Sequence, residues 1–153
     1  SFQGRRFVPV RPRAPLSEAN RGERWIERAE RAGVEIRVTT VERTVADVLD
    51  RPDLAGGVEE VWRSLLSVPA LDPGPLEEYV PLLGSSTLAA KVGFFLEMRR
   101  EELAVPAGLL ERLRARIPRA PVFMDRRRRG RLVGRWALIV PADLLPDDRG
   151  DVA

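Results

Sequence analysis

The spacing of apolar residues changes period along this chain, and nothing else in the sequence restricts its fold as much. Over residues 41–117 the apolar positions recur at helical intervals, as in Val58, Val61, Trp62, Leu65 and Leu66, which form the i, i+3, i+4, i+7, i+8 stripe of an amphipathic helix. On both sides of that stretch they alternate or run continuously over short segments, as in strands. A helical middle flanked by strands predicts an α+β domain. Its small sheet would gather the N- and C-terminal strands and residues 34–38, and a bundle of four or more helices would cover it. The 153 residues suit a single domain over 1–153, since one hydrophobic core typically serves roughly 100 to 200 residues.

Residues 6–11 read as a short strand, placed at an edge by Pro9, which cannot donate to a ladder. Residues 16–33 carry Trp25, Ile26 and Ala29 among alternating Glu and Arg, with Glu27 four before Arg31, and predict a short exposed helix closed by Gly33. Residues 34–38 alternate, with Val34, Ile36 and Val38 on one face. Thr39 and Glu42 have the capping-box spacing for a helix that carries Val41, Val45, Val48 and Leu49 and stops at Pro52. Gly56 and Gly57 precede the helix at Val58; Asp72 and Pro73 open another, which Gly84 ends. Ser85 or Ser86 caps a helix over 88–99 in which Gly93 lets a neighbouring helix approach closely. Val105, Leu109, Leu110, Leu113 and Ile117 mark a last long helix. Beyond it, residues 122–124 read as a strand, 125–134 as a charged turn, and 135–140 as a strand apolar on both faces and therefore central. The tail over about 146–153 is expected to fray.

The chain has neither Cys nor His, which excludes a Cys nucleophile, a Ser-His-Asp triad, a disulfide framework and a Cys/His zinc site. No metal, cofactor or catalytic residue is expected. Lack of Cys fits a reducing cytoplasm, and no uninterrupted apolar run approaches the roughly 18 residues of a membrane span. Of the 26 basic residues Lys91 is the only Lys; such Arg usage reads either as coding bias or as phosphate clamping. Net charge is +3, but unevenly spread: residues 112–135 carry ten Arg against Asp125 alone, whereas 40–102 are net acidic.

Among the candidates for chemistry, Asp47, Asp50, Asp53, Glu59 and Glu60 lack the spacing of a metal motif and read as helix-end residues. Gly56-Gly57 reads as a tight turn, without the Lys-Ser/Thr of a phosphate loop. Lys91, considered as a Schiff-base amine, is expected on a solvated face. The sharpest local signal is Arg126, Arg127, Arg128, Arg129 and Arg131, continued by Arg135. Like charges this dense repel one another, and a nucleic-acid backbone would neutralise them. A solubilising turn or a guard against edge pairing is the competing reading.

Glu42-Arg43-Thr44, then Asp47, then Gly56-Gly57 ahead of a helix form one motif. It is followed by Leu88-Ala89-Ala90-Lys91-Val92-Gly93-Phe94-Phe95-Leu96-Glu97 and by Arg135-Trp136-Ala137-Leu138-Ile139-Val140-Pro141. In this order the motifs resemble the AbiEi-type antitoxins, regulators of the type IV toxin-antitoxin systems of abortive infection. The resemblance spans about residues 6–145; Lys91, Val92 and the two Phe depart from the Arg-Leu-Gly-Tyr-Leu-Leu-Glu type of sequence common in that family. It implies a C-terminal antitoxin domain that counteracts a nucleotidyltransferase-like toxin without forming a stable complex with it. Members of that family usually carry an N-terminal winged helix that binds operator DNA, and no such segment is expected before Arg5. Glu42, Arg43, Thr44, Asp47, Gly56, Gly57, Gly93 and Trp136 carry over as signature residues with structural roles.

The leading expectation is therefore a non-enzymatic, cytoplasmic antitoxin or transcriptional-regulator domain whose Arg-rich surface meets DNA or another acidic partner. A scaffold or oligomerisation domain with a solvated Arg loop is the alternative. A carboxylate-metal nuclease is disfavoured by the missing Glu-x-Lys beside a strand.

Overall fold

The computed structural model describes Gly4, residues 9–18 and residues 22–146. These form an α+β chain in the order α1 (Ala14–Glu18), β1 (Ile26–Arg31), β2 (Val34–Thr39), α2 (Val41–Asp50), α3 (Val58–Leu66), α4 (Pro73–Tyr79), α5 (Ser86–Met98), α6 (Ala107–Arg114), β3 (Val122–Phe123), β4 (Arg131–Val133) and β5 (Leu138–Val140). Among the described residues no helix is long and apolar enough to cross a membrane.

The strands do not gather into one sheet. β1 and β2 make a separate antiparallel hairpin, while β3, β5 and β4 form a second sheet in that order, β3 parallel and β4 antiparallel to the central β5. The helix expected over 16–33 is replaced by α1 and β1. Ala32 and Gly33, both at positive φ (51° and 76°), close a two-residue hairpin turn whose twist suits antiparallel strands. Of the strand expected over 6–11, residues 6–8 lie outside the described residues and residues 9–11 take no regular structure. The expected frayed tail lies outside them beyond Pro146.

A lone two-stranded hairpin is marginal in water, and its expected inward face remains open: Val34 and Ile36 are exposed. The hairpin is held at its base instead. The Thr40 amide donates to Trp25 O at 2.9 Å, the Arg43 guanidinium donates to Gly22 O and Arg24 O at 2.6 and 2.9 Å, and the Trp25 ring meets Tyr79 edge-on at 5.2 Å.

The core is built around α5. Residues 88–96 are all buried, which explains the helix's weak amphipathicity: it is enclosed by α2 and α6 and by the Gly134–Trp136 3-10 turn. Trp62 packs against its Phe94 and Phe95, and Trp136 against its Gly93. The expected strand over 135–140 is shorter than its apolar run. Gly134–Trp136 is a 3-10 turn, Ala137 turns the chain at φ 49°, and only Leu138–Val140 pairs as the central strand. The charged turn expected over 125–134 likewise contains β4. The last helix ends at Arg114 rather than Ile117.

Candidate nucleic-acid interface and the adjoining cleft

The Arg run sits on a loop with a defined backbone. Met124 is buried and its amide donates to Ile139 O at 2.9 Å, anchoring the end of β3. The Asp125 carboxylate then accepts from the Arg127 amide at 2.9 Å, and Asp125 O accepts from the Arg128 amide at 3.2 Å, an Asx-turn that fixes the chain reversal. On the return, a Cβ built on Gly130 would lie 2.3 Å from Val140 O, so the loop closes against β5 only because that residue is Gly.

The arginines of this loop divide into two groups. Arg128 is bound to Asp143 at 2.5 Å, which holds the Asp143 carboxyl below its usual range and the Arg128 guanidinium above its own; its other terminal nitrogen is buried without a partner. Arg135 stands apart from the loop, bridging Glu97 on α5 at 2.7 Å and Glu111 on α6 at 2.8 Å. Both are fixed by intramolecular carboxylates. Arg127 reaches Asp53 at 3.4 Å, with both side chains largely exposed, a pairing that water and salt weaken readily. Arg126 and Arg129 are exposed and have no carboxylate partner among the described residues. Arg131 opens β4 opposite Val140. The structure thus brings Arg126, Arg127, Arg129 and Arg131 to one exposed tip.

Beneath the tip lies a cleft of about 650 Å³, bounded by the end of α2, the start of α5, β3 and the Arg loop. Lys91 lines it, and its burial is a correction: the side chain is 7% exposed, where a solvated face was expected. Lys91 stands inside the apolar run of α5, and its ammonium donates to Leu49 O at 3.0 Å. Burial pushes this ammonium below its usual pKa, Asp50 and Asp125 oppose that shift, and Arg126 adds to it. Arg13 also lines the cleft and forms a two-toothed bridge to the almost buried Asp50 at 2.7 and 2.8 Å.

The signature residues form the joints of the fold. The cap of α2 is shifted by one residue from expectation: Thr40, not Thr39, accepts from the Arg43 amide at 3.3 Å. Glu42 does not reach back; it accepts from the Asp72 amide at 2.9 Å and so ties α2 to the start of α4. The Thr44 hydroxyl donates to Thr40 O at 2.8 Å and meets the Thr39 hydroxyl at 2.7 Å. Arg43 joins α2 to the hairpin and reaches Asp47 at 3.3 Å, and Asp47 also accepts from the Tyr79 hydroxyl at 2.8 Å. Gly56 and Gly57, at φ 93° and 98°, turn the chain between the Pro52–Ala55 3-10 turn and α3. Gly93 faces Trp136 rather than a helix, and the Trp136 indole donates to Glu97 at 2.5 Å.

Two groups escaped the sequence reading. Arg99 is buried and donates to Leu65 O and Val68 O at 3.1 and 2.6 Å, satisfying the carbonyl end of α3. Tyr79 is read from periodicity only as an inward residue, with no sign of its bond to Asp47. The acidic residues of this region pair separately, Asp53 with Arg127 and both Glu59 and Glu60 with Arg63. Among the described residues no group of three or more Asp or Glu is placed to hold a metal ion.

No family model, curated protein or solved structure matches this chain.

Proposed function

We propose that this chain is a non-enzymatic antitoxin or transcriptional-regulator domain of a type IV toxin-antitoxin system, acting in the cytoplasm against a nucleotidyltransferase-like toxin, and that its Arg tip binds the DNA backbone. The single observation that supports DNA binding is the tip itself. Arg126, Arg127 and Arg129 project from a loop whose backbone is fixed by Asp125 and Gly130, with no strong intramolecular anion on any of the three. Fixed cations that are unpaired or only weakly paired within the chain favour an external polyanion. The antitoxin assignment draws on the order of the motifs around Glu42-Arg43-Thr44, Gly93 and Trp136. The domain reaches DNA through phosphates, which set position without reading bases. Its effect on the toxin requires no stable complex.

Two experiments test this reading. Where the adjacent reading frame encodes a nucleotidyltransferase-like toxin, co-expression with this chain should restore growth; continued toxicity, or an adjacent frame of another kind, would overturn the antitoxin role. Titration of duplex DNA at several salt concentrations should show affinity falling with salt, and absence of binding at low salt would overturn the interface. A scaffold or oligomerisation role has its own support in the open apolar face of the hairpin, where Val34 and Ile36 are exposed. Concentration-dependent self-association in sedimentation would favour it.

A further inference from the structure

We propose that the cleft between the end of α2, the start of α5 and the Arg loop is a nucleotide site, with the phosphate monoester held by Lys91 and Arg126 and the base laid against Phe123. The cleft shares Arg126 with the outer tip, whereas Arg129 belongs to the tip alone. The argument begins with the charges that line the cleft. Arg13 is neutralised by the two-toothed bridge to Asp50, and Arg127 reaches Asp53 while its amide is held by Asp125. Lys91, Arg126 and the Asp125 carboxylate are left. Lys91 uses one of the three donors of its ammonium on Leu49 O. Arg126 has no carboxylate partner among the described residues and lies near enough to Lys91 to disfavour its charge.

A buried ammonium with two donors unused, in a cleft also lined by an arginine that has no carboxylate partner among the described residues, has room for a further acceptor. A dianion set between them would satisfy both and use the remaining Lys91 donors. Asp50, Asp125 and Asp53 favour the charge of this ammonium, the first two more strongly than Arg126 disfavours it; none of the three hydrogen-bonds to it, so its remaining donors stay open to an added oxygen. Thr87 also lines the cleft, one helical turn before Lys91.

The β3 residue in the lining decides what is attached to the phosphate. Phe123, on β3, is 46% exposed and lines the cleft. An exposed ring beside a cationic floor is the pairing by which proteins hold a base and its phosphate, because every base offers a π-face for stacking. A volume of about 650 Å³ falls within the range of small-ligand and cofactor sites. The phosphate could be supplied by a free nucleotide or by the 5′ end of a nucleic-acid strand, which carry the same chemistry.

The test uses the full chain and exploits Lys91 as its only Lys. Reductive methylation read by peptide mass spectrometry reports that amine separately from the N-terminus. AMP and GMP should protect Lys91, and adenosine, lacking the phosphate, should not. Calorimetry should show AMP binding about tenfold or more tighter than adenosine, and Arg126→Gln and Lys91→Met should each weaken AMP by about tenfold or more. Phe123→Ala should weaken AMP more than inorganic phosphate. Arg126 is exposed, so Arg126→Gln keeps the test decisive should Lys91→Met fail to fold. Protection by a 5′-phosphorylated oligonucleotide but not by AMP would make the strand end the source of the phosphate. No protection by any phosphate compound, or equal affinity for AMP and adenosine, would overturn the site. The duplex interface is read separately, by the salt dependence of duplex affinity in Arg129→Gln, a residue outside the cleft.

Discussion

Gly93 and Trp136 act as one packing unit. A Cβ on Gly93 would lie 2.0 Å from Trp136 Cζ3, and the indole is fully buried and bonded to Glu97, so it has little room to retreat. Gly93→Ala should cost about 1–3 kcal/mol through overpacking and Gly93→Leu more; an unchanged urea midpoint would mean that the ring moves aside freely. Trp136→Ala should cost about 3–5 kcal/mol. The two changes should not add: with the indole gone, Gly93→Ala should lose most of its penalty, as residues in contact do in a double-mutant cycle. Additive losses would separate the two positions energetically. The sequence locates Gly93 as a point of close approach but names the wrong neighbour. Nothing in a helical period shows that a residue from a 3-10 turn more than forty positions later will fill that gap.

At the scale of elements, the residues at the joint of α2 and α4 explain how much of the fold is legible. The helices from α2 to α5 follow from apolar period and caps, because each is longer than a single turn and each start carries Thr, Gly, Asp or Ser. The hairpin does not, since the Glu/Arg alternation of Ile26–Arg31 satisfies helical i, i+4 pairing and strand alternation alike. The buried polar links are also hidden, because Tyr79 and Asp47 are thirty-two positions apart. Their bond has a pH signature. Burial first, then the bond to Asp47, raise the Tyr79 pKa well above its usual value, whereas an unfolded Tyr ionises near about 10. Above that pH the unfolded chain loses the proton first, so stability contributed by Tyr79 is complete below about pH 10 and declines as pH rises further. Tyr79→Phe should cost about 1 kcal/mol at pH 8, and its deficit relative to wild type should shrink at about pH 11 in urea unfolding. A deficit constant with pH would remove the link between Tyr79 ionisation and folding.

At the scale of the whole molecule, a net charge of +3 is too small to explain association with a polyanion, and the distribution of charge has to do so. The sequence shows ten Arg over residues 112–135 but not their partners. Folding places Glu97 and Glu111 against Arg135 and Asp143 against Arg128, and leaves Arg126, Arg127 and Arg129 at the exposed tip. Substitutions at these positions should therefore separate by consequence. Arg128→Gln breaks the bond to Asp143 and alters how the loop seats on the C-terminal segment, so it should lower the unfolding midpoint. Arg127→Gln with Arg129→Gln removes exposed charge and the weak, solvent-exposed Arg127–Asp53 pair, and should leave that midpoint nearly unchanged, because repulsion within the loop falls as that pair is lost. Each phosphate neutralised contributes about 0.9 to the slope of log affinity against log salt on duplex DNA. The double variant should lower the slope by about one to two, with no change in preference among duplex sequences, since phosphate contacts carry no base information. Titrating both proteins at several salt concentrations decides the matter: a slope the same in the double variant as in wild type would leave the tip a solvated loop, and a change in sequence preference would mean that these side chains reach base edges.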